Sequence, residues 1–296
     1  MQAELLAALA ALSWAVGSLF SAAASSRMGA FAFTRWRLFF ALTLLWALAA
    51  FTGQWRSLDG ASVGLLALSG LIGIFIGDTA LFACMNRLGP RRSGVLFATH
   101  AIFSTMLAWL FLGETLWGWT LVGGSLLVSG VMVAIVWGRR ESETHVWENT
   151  QGSLWTGILL GLLAAASHSA ATLMIKPLMV AGVDAVSASA VRTSASFLAH
   201  LALLWAGAKV ARLQNPLNPK ILFNTAASAV VAMALGMTLV SQALKTGQAN
   251  LMGIFSSLTP ILLLPLLWVI YRRHPAWGAW AGAVMAVAGA ALILVQ

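Results

Sequence analysis

The sequence predicts an all-α integral membrane protein with ten transmembrane helices arranged as two inverted five-helix repeats. Three observations carry that expectation. First, of 296 residues 60% are hydrophobic and 8% charged, against roughly 25% charged in a soluble domain. So few charges cannot cover a soluble surface, and so much apolar content excludes a disordered chain. Second, the apolar residues run in stretches of about 20, the length of a membrane-spanning helix. Third, shifting the chain by 159 residues aligns 77–135 with 236–294 without a gap, pairing Gly77 with Gly236, Thr79 with Thr238, Gly94 with Gly253, Trp109 with Trp268, Gly123 with Gly282 and Gly130 with Gly289. A shift of 154 pairs Ser13-Trp14 with Ser167-His168 and Leu19 with Leu173.

The first span, 4–25, lacks a basic segment ahead of it, so it reads as a retained helix rather than a cleaved signal. The second is 33–53, closed by Gly53-Gln54-Trp55-Arg56. The third, 62–85, ends at Arg87-Leu88-Gly89-Pro90-Arg91-Arg92, which has the composition of a turn. The fourth and fifth are 94–112 and 117–137. Residues 139–152 follow, the most polar stretch, with Arg139, Arg140, Glu141, Glu143 and Glu148. They read as a linker between halves at 1–138 and 153–296. The second half supplies 153–180, 187–207, 221–244, 250–271 and 275–295, with Asn215-Pro216-Leu217-Asn218-Pro219-Lys220 as its clearest turn. Five spans per half is an odd number, so the halves run in opposite directions, an architecture that places a substrate site near the midplane between them. Ten spans leave no connection long enough for an extramembrane domain.

Charge sets orientation. Of the Lys and Arg residues outside span interiors, Arg56, Lys176 and Lys245 fall on one side and all others, from Arg27 to Arg273, on the opposite side. The positive-inside rule makes the richer side cytoplasmic, with the termini outside and the linker inside. The net charge of +9 therefore anchors the protein in a lipid bilayer and does not point to nucleic acid. Most of the fourteen tryptophans read as interfacial anchors, among them Trp55, Trp117, Trp137, Trp147, Trp155 and Trp277. Cys84 is the only cysteine, so no internal disulfide and no cysteine metal site exist. No cofactor or metal is expected, and the oligomeric state is not legible.

Ionisable residues inside spans are costly and turn toward the bundle interior. Asp78 is the only acidic residue deep in a span. It reads either as a polar or protonatable group at a cavity or as the partner of an intramembrane arginine: Arg35, Arg37 or Arg192. His100 and His168 read as cavity-lining or as bonded to a neighbouring helix, and His200 as structural. Arg35 and Arg192 align across the halves close to an interface, where they can snorkel; they read as gating or structural charges, or as contacts to a substrate carboxylate. Recurring small residues such as Gly70, Gly73, Gly77, Gly123 and Gly130 read as sites of close helix packing. Lys176-Pro177 breaks or kinks the end of the sixth span.

Two stretches make the chain familiar. Ala108-Trp109-Leu110-Phe111-Leu112-Gly113-Glu114-Thr115-Leu116, followed by the glycines from Gly123 to Gly130, resembles the end of the fourth span and the fifth span of EamA-type exporters in the drug/metabolite transporter superfamily. Ser257-Leu258-Thr259-Pro260 is similar to the start of that family's ninth span, although Ala101 and Arg273 stand where the repeat would want second copies of Pro260 and Glu114. The resemblance implies a non-enzymatic secondary transporter exporting small metabolites, amino acids first and aromatic or neutral ones among them, by alternating access. The cavity would be lined by spans 1, 3, 4, 6, 8 and 9. Its candidate substrate-binding residues form four pairs across the repeat: Trp14 with His168, Asp78 with Met237, Phe82 with Ser241, and His100 with Thr259. Asp78, His100 or His168 would titrate if transport is proton-coupled, and Asp78→Asn would then abolish that coupling while preserving folding. Efflux of drugs or organic cations by the same fold is the near alternative. An intramembrane protease is the distant one: Asp78 supplies one aspartate, but Phe75 occupies a motif glycine and His-Glu-x-x-His is absent.

Overall fold

The computed structural model describes residues 2–137, 153–271 and 276–294. The linker 139–152, Trp147 and Arg273 lie outside them. Among the described residues the chain is helical, with no strand, and its helices group into ten rods. These are α1 (Gln2–Met28), α2 (Ala30–Thr52), α3 (Gly60–Gly89), α4 (Arg92–Leu112), α5 (Gly118–Trp137), α6 (Leu154–Val180), α7 (Ala185–Trp205), α8 (Pro219–Ala243), α9 in two pieces (Ala249–Ser256 and Thr259–Tyr271) and α10 (Trp277–Leu294). α1, α2, α3, α4, α6 and α8 are each long and apolar enough to cross a membrane.

Local chemistry sets the ends. Asp59 accepts a hydrogen bond from the Ser62 amide at 2.7 Å and caps α3; Asp184 accepts from the Ser187 amide at 2.8 Å and caps α7; Asn218 accepts from the Ile221 amide at 2.8 Å and caps α8. Each fills one of the amide positions that a helix start leaves open. The bonds from Ser62 also hold the exposed Asp59 carboxyl below its usual range. Rods α1 to α4 outrun the sequence expectation by a few residues each. The largest difference is at Arg87–Arg92, read as a loop. There the helical path continues to Gly89, the residue in that stretch that leaves helical geometry, at φ 83° and ψ 161°. An L side chain rarely adopts that conformation, so glycine turns the corner without a longer loop. Pro177 likewise does not end α6, which runs on to Val180.

The rods pack mainly across the two halves of the chain. α1 lies along α8, α3 along α6, α2 against α7, α4 against α9 and α5 against α10. The contacts recur at the offsets seen in the sequence. A methyl group on Gly77 would stand 2.9 Å from Cδ2 of His168; one on Gly236 would stand 2.5 Å from Nε1 of Trp14. Gly73 meets Ala171 as Ala232 meets Gly17. α3 and α8 each contain a stretch of wider turns, Leu71–Asp78 and Ala229–Leu235. A turn with an extra residue rotates everything beyond it, and such turns concentrate at functional sites. The first ends on Asp78. Outward, the surface is apolar, with Phe51, Leu110, Val269 and Val284 well exposed. Trp117, Trp137, Trp155 and Trp277 are exposed at rod ends, as an aromatic belt requires.

Candidate functional site

A buried polar cluster lies where α2, α3, α4, α6 and α7 meet. Asp78, 6% exposed, is at its centre. Nη1 of Arg37 donates to Oδ2 of Asp78 at 3.0 Å. His168 brings Nε2 within 2.9 Å of the other carboxylate oxygen, off the line of a well-aligned hydrogen bond. Of the two readings of Asp78, the structure supplies an arginine partner, and it is Arg37. The Arg37 guanidinium also sits 5.2 Å from the centre of the Phe82 ring, within cation–π reach. Phe82 is set edge-on against Phe33 at 4.7 Å.

The two histidines meet beside the carboxylate. The His100 and His168 rings are 6.4 Å apart, and Phe97 joins them, stacked on His100 at 5.6 Å and edge-on to His168 at 5.2 Å. Ser169 donates to the His100 carbonyl at 3.1 Å, tying α6 to α4. His168 keeps 20% of its side chain exposed, more than Asp78 or Arg37. His200 is fully buried, 3.2 Å from the Thr79 hydroxyl and edge-on to Phe75 at 4.8 Å.

The remaining candidates scatter. Trp14 donates to the Ala232 carbonyl at 2.9 Å, holding α1 on α8. Met237 packs against Leu38, Ile74 and Met233. Ser241 is buried with its hydroxyl unpartnered among the described residues, and Thr259 donates to the Ser256 carbonyl at 2.8 Å. Arg35 and Arg192 are both buried within protein. Arg35 donates to the Ala211 carbonyl at 2.7 Å, which ties α2 to the α7–α8 connection. Sequence reasoning ranked Arg37 only as one of three partners and missed Phe97. Arg37 carried a usable signal, since it lies two residues deeper in its span than Arg35.

A second charged arrangement closes one end of the bundle. Lys176 donates to the carbonyls of Leu244, at 3.0 Å, and Gly247. Glu114 accepts from the Asn250 amide at 3.1 Å. A cation thus meets carbonyls leaving α8 and an anion meets the first amides of α9, each matched to its helix dipole. Hydrogen bonds to charged groups contribute roughly 1.5–3 kcal/mol. Lys176→Met is therefore expected to speed amide hydrogen exchange across 244–250 by about tenfold or more; unchanged exchange there would show that the lysine holds nothing.

The comparisons with known proteins fit this arrangement. The profile of the EamA-like transporter family matches residues 1–136 and 155–295. The chain belongs to the EamA-like transporter family, within the drug/metabolite transporter superfamily. It is accordingly an integral membrane protein of a transporter family. Among curated proteins no relative matches. One solved structure, described as "Crystal structure of protein", is similar over 99% of this chain and 96% of its own, at TM-score 0.78 and 16% identity, which speaks for the fold alone.

Proposed function

We propose that this chain is a secondary transporter that exports small metabolites, amino acids first, by alternating access between two inverted five-helix halves. The carrying observation is the Asp78–Arg37–His168–His100 cluster, buried where elements from the two halves meet. A passive bundle gains little from burying so many polar groups, whereas a solute pathway needs them. Two features support the repeat: the family profile matches each half separately, and the wider turns recur in α3 and α8 while the Gly77–His168 and Gly236–Trp14 approaches recur at the two offsets seen in the sequence. The cavity would open beside His168, with Trp14, Met237, Ser241 and Thr259 contributed from the α1, α8 and α9 side. This reading goes with a bacterial inner membrane location, and the charge count favours termini outside and the linker cytoplasmic.

Counterflow in proteoliposomes tests this reading. Amino acids, organic cations and sugars are offered in turn, and saturable exchange of amino acids is expected. Saturable exchange of organic cations alone would favour drug efflux, and cleavage of a membrane peptide without exchange would favour an enzyme. Within the cluster, His168→Ala is expected to raise the apparent KM by roughly tenfold, the loss of about 1.4 kcal/mol of contact. His200→Ala, remote from the open edge, should change it less than twofold at equal protein level. Equal effects would move the pathway away from His168.

A further inference from the structure

We infer that the polar cluster recognises its solute by a carboxylate, and that an α-amino group on the solute is not required. The inference rests on the transporter reading above and adds the chemical class. Two guanidiniums, Arg37 and Arg192, are buried at 6% and 4% exposure. The carboxylate that acts on both electrostatically is the same one, Asp78. Asp78 is already committed to Arg37 at 3.0 Å.

Arg192 has no ion pair within reach among the described residues, and its Nε is without a hydrogen-bond partner, as is that of Arg37. Its Nη2 lies 3.5 Å from where a methyl group on Gly73 would sit, on the stretch of wider turns that ends at Asp78. The Ser196 hydroxyl donates to the Gly70 carbonyl at 2.8 Å and to the Arg192 carbonyl at 2.9 Å, fixing α7 to α3 at this level.

The charges therefore do not balance. Arginine cannot shed its proton to relieve the cost of burial, and an unpaired buried cation is unfavourable. His168 and His100 bring no negative charge, and neither does His200 with its Thr79 partner. Arg35 brings a further positive charge, spent on the Ala211 carbonyl. One more negative group completes the cluster. A carboxylate fits by charge and by the fork geometry of guanidinium, and His168 marks the edge by which it enters. Among the described residues the one carboxylate of this cluster is Asp78, already paired with Arg37, so an ammonium group on the solute finds no carboxylate of its own and adds nothing to recognition.

The test uses the full-length wild-type protein in proteoliposomes with three probes: phenylalanine, 3-phenylpropanoate and phenylalaninamide. Exchange of phenylalanine and of 3-phenylpropanoate is expected at comparable apparent affinity, with phenylalaninamide at least tenfold weaker. Arg192→Gln should weaken both acids by roughly tenfold or more and leave the amide unchanged, and Arg192→Lys should recover part of the loss. Equal exchange of acid and amide, or amine-dependent exchange that 3-phenylpropanoate does not support, would overturn the inference while leaving the transporter reading intact. No saturable exchange of any amino acid, cation or sugar would remove the transporter reading and this inference with it. If Arg192→Gln does not fold, the acid-against-amide comparison on the wild-type protein decides alone.

Discussion

Asp78→Asn is expected to cost roughly 3–5 kcal/mol of stability, and Arg37→Gln about half that or less, although the two residues form one ion pair. The asymmetry follows from the third charge. With Arg37, Arg192 and Asp78 ionised and buried, the cluster carries one net positive charge. Removing Arg37 brings it to zero, since Arg192 remains to balance Asp78. Removing Asp78 leaves two buried guanidiniums with no carboxylate, and neither can deprotonate. Unfolding of the purified single variants in detergent, read by titration with denaturant, measures the difference. Equal losses would show that Arg192 does not sense Asp78. The ion pair also alters an expectation from sequence. An Asp78→Asn protein was expected to fold normally and lose only proton coupling, and the 3.0 Å contact to Arg37 makes a stability loss part of the phenotype.

The second large effect belongs to the contact between α5 and α10. Here glycines let two backbones touch. A methyl group on Gly282 would stand 2.3 Å from the amide nitrogen of Ala134 and 2.4 Å from the Gly130 carbonyl oxygen; one on Gly130 would stand 2.5 Å from the amide nitrogen of Ala286. Gly123 and Gly289 repeat the arrangement farther along the same pair of helices, where methyl groups on them would stand 2.7 and 2.5 Å from each other's carbonyl oxygens. Backbone cannot rotate out of the way as a side chain can, so any side chain at Gly282 pushes the helices apart. Overpacking typically costs 1–3 kcal/mol, and Gly282→Leu is expected at or beyond the upper end, about 3 kcal/mol. Gly64→Leu is the control, because a methyl group there meets nothing within 4 Å and leucine is the better helix former. A Gly282→Leu protein as stable as the control would mean that α5 and α10 do not pack through these glycines.

How much of this was legible in the sequence depends on the physics behind each feature. Helix positions were, because an apolar run of spanning length has few other structures open to it. The Arg87–Arg92 bend was misjudged as a loop, because turn-like composition does not reveal that one residue, Gly89, suffices to turn the chain. Asp78 stood out because an isolated carboxylate in an apolar span demands a partner. Which arginine answers it was only partly legible: depth in the span favours Arg37 over Arg35, but the choice also depends on how α2 and α7 rotate against α3, and the wider turns before Asp78 are a backbone event without a side-chain signature. Phe82 and Met237 are grouped by offset as lining residues, and their neighbours were not legible: Phe82 is set between Arg37 and Phe33, and Met237 packs against the cluster that holds Leu38 and Ile74.

Alternating access at the His168 edge is the central claim, and side-resolved labelling tests it most directly. Thr172 lies one turn from His168 on the same helix face, partly exposed. In a Cys84→Ser background, Thr172→Cys should react with a membrane-impermeant thiol reagent applied to either side of oriented vesicles, one side at a time, and a transported solute should slow both reactions. Labelling from one side only, or from neither, would contradict a cavity that opens alternately to the two faces of the membrane.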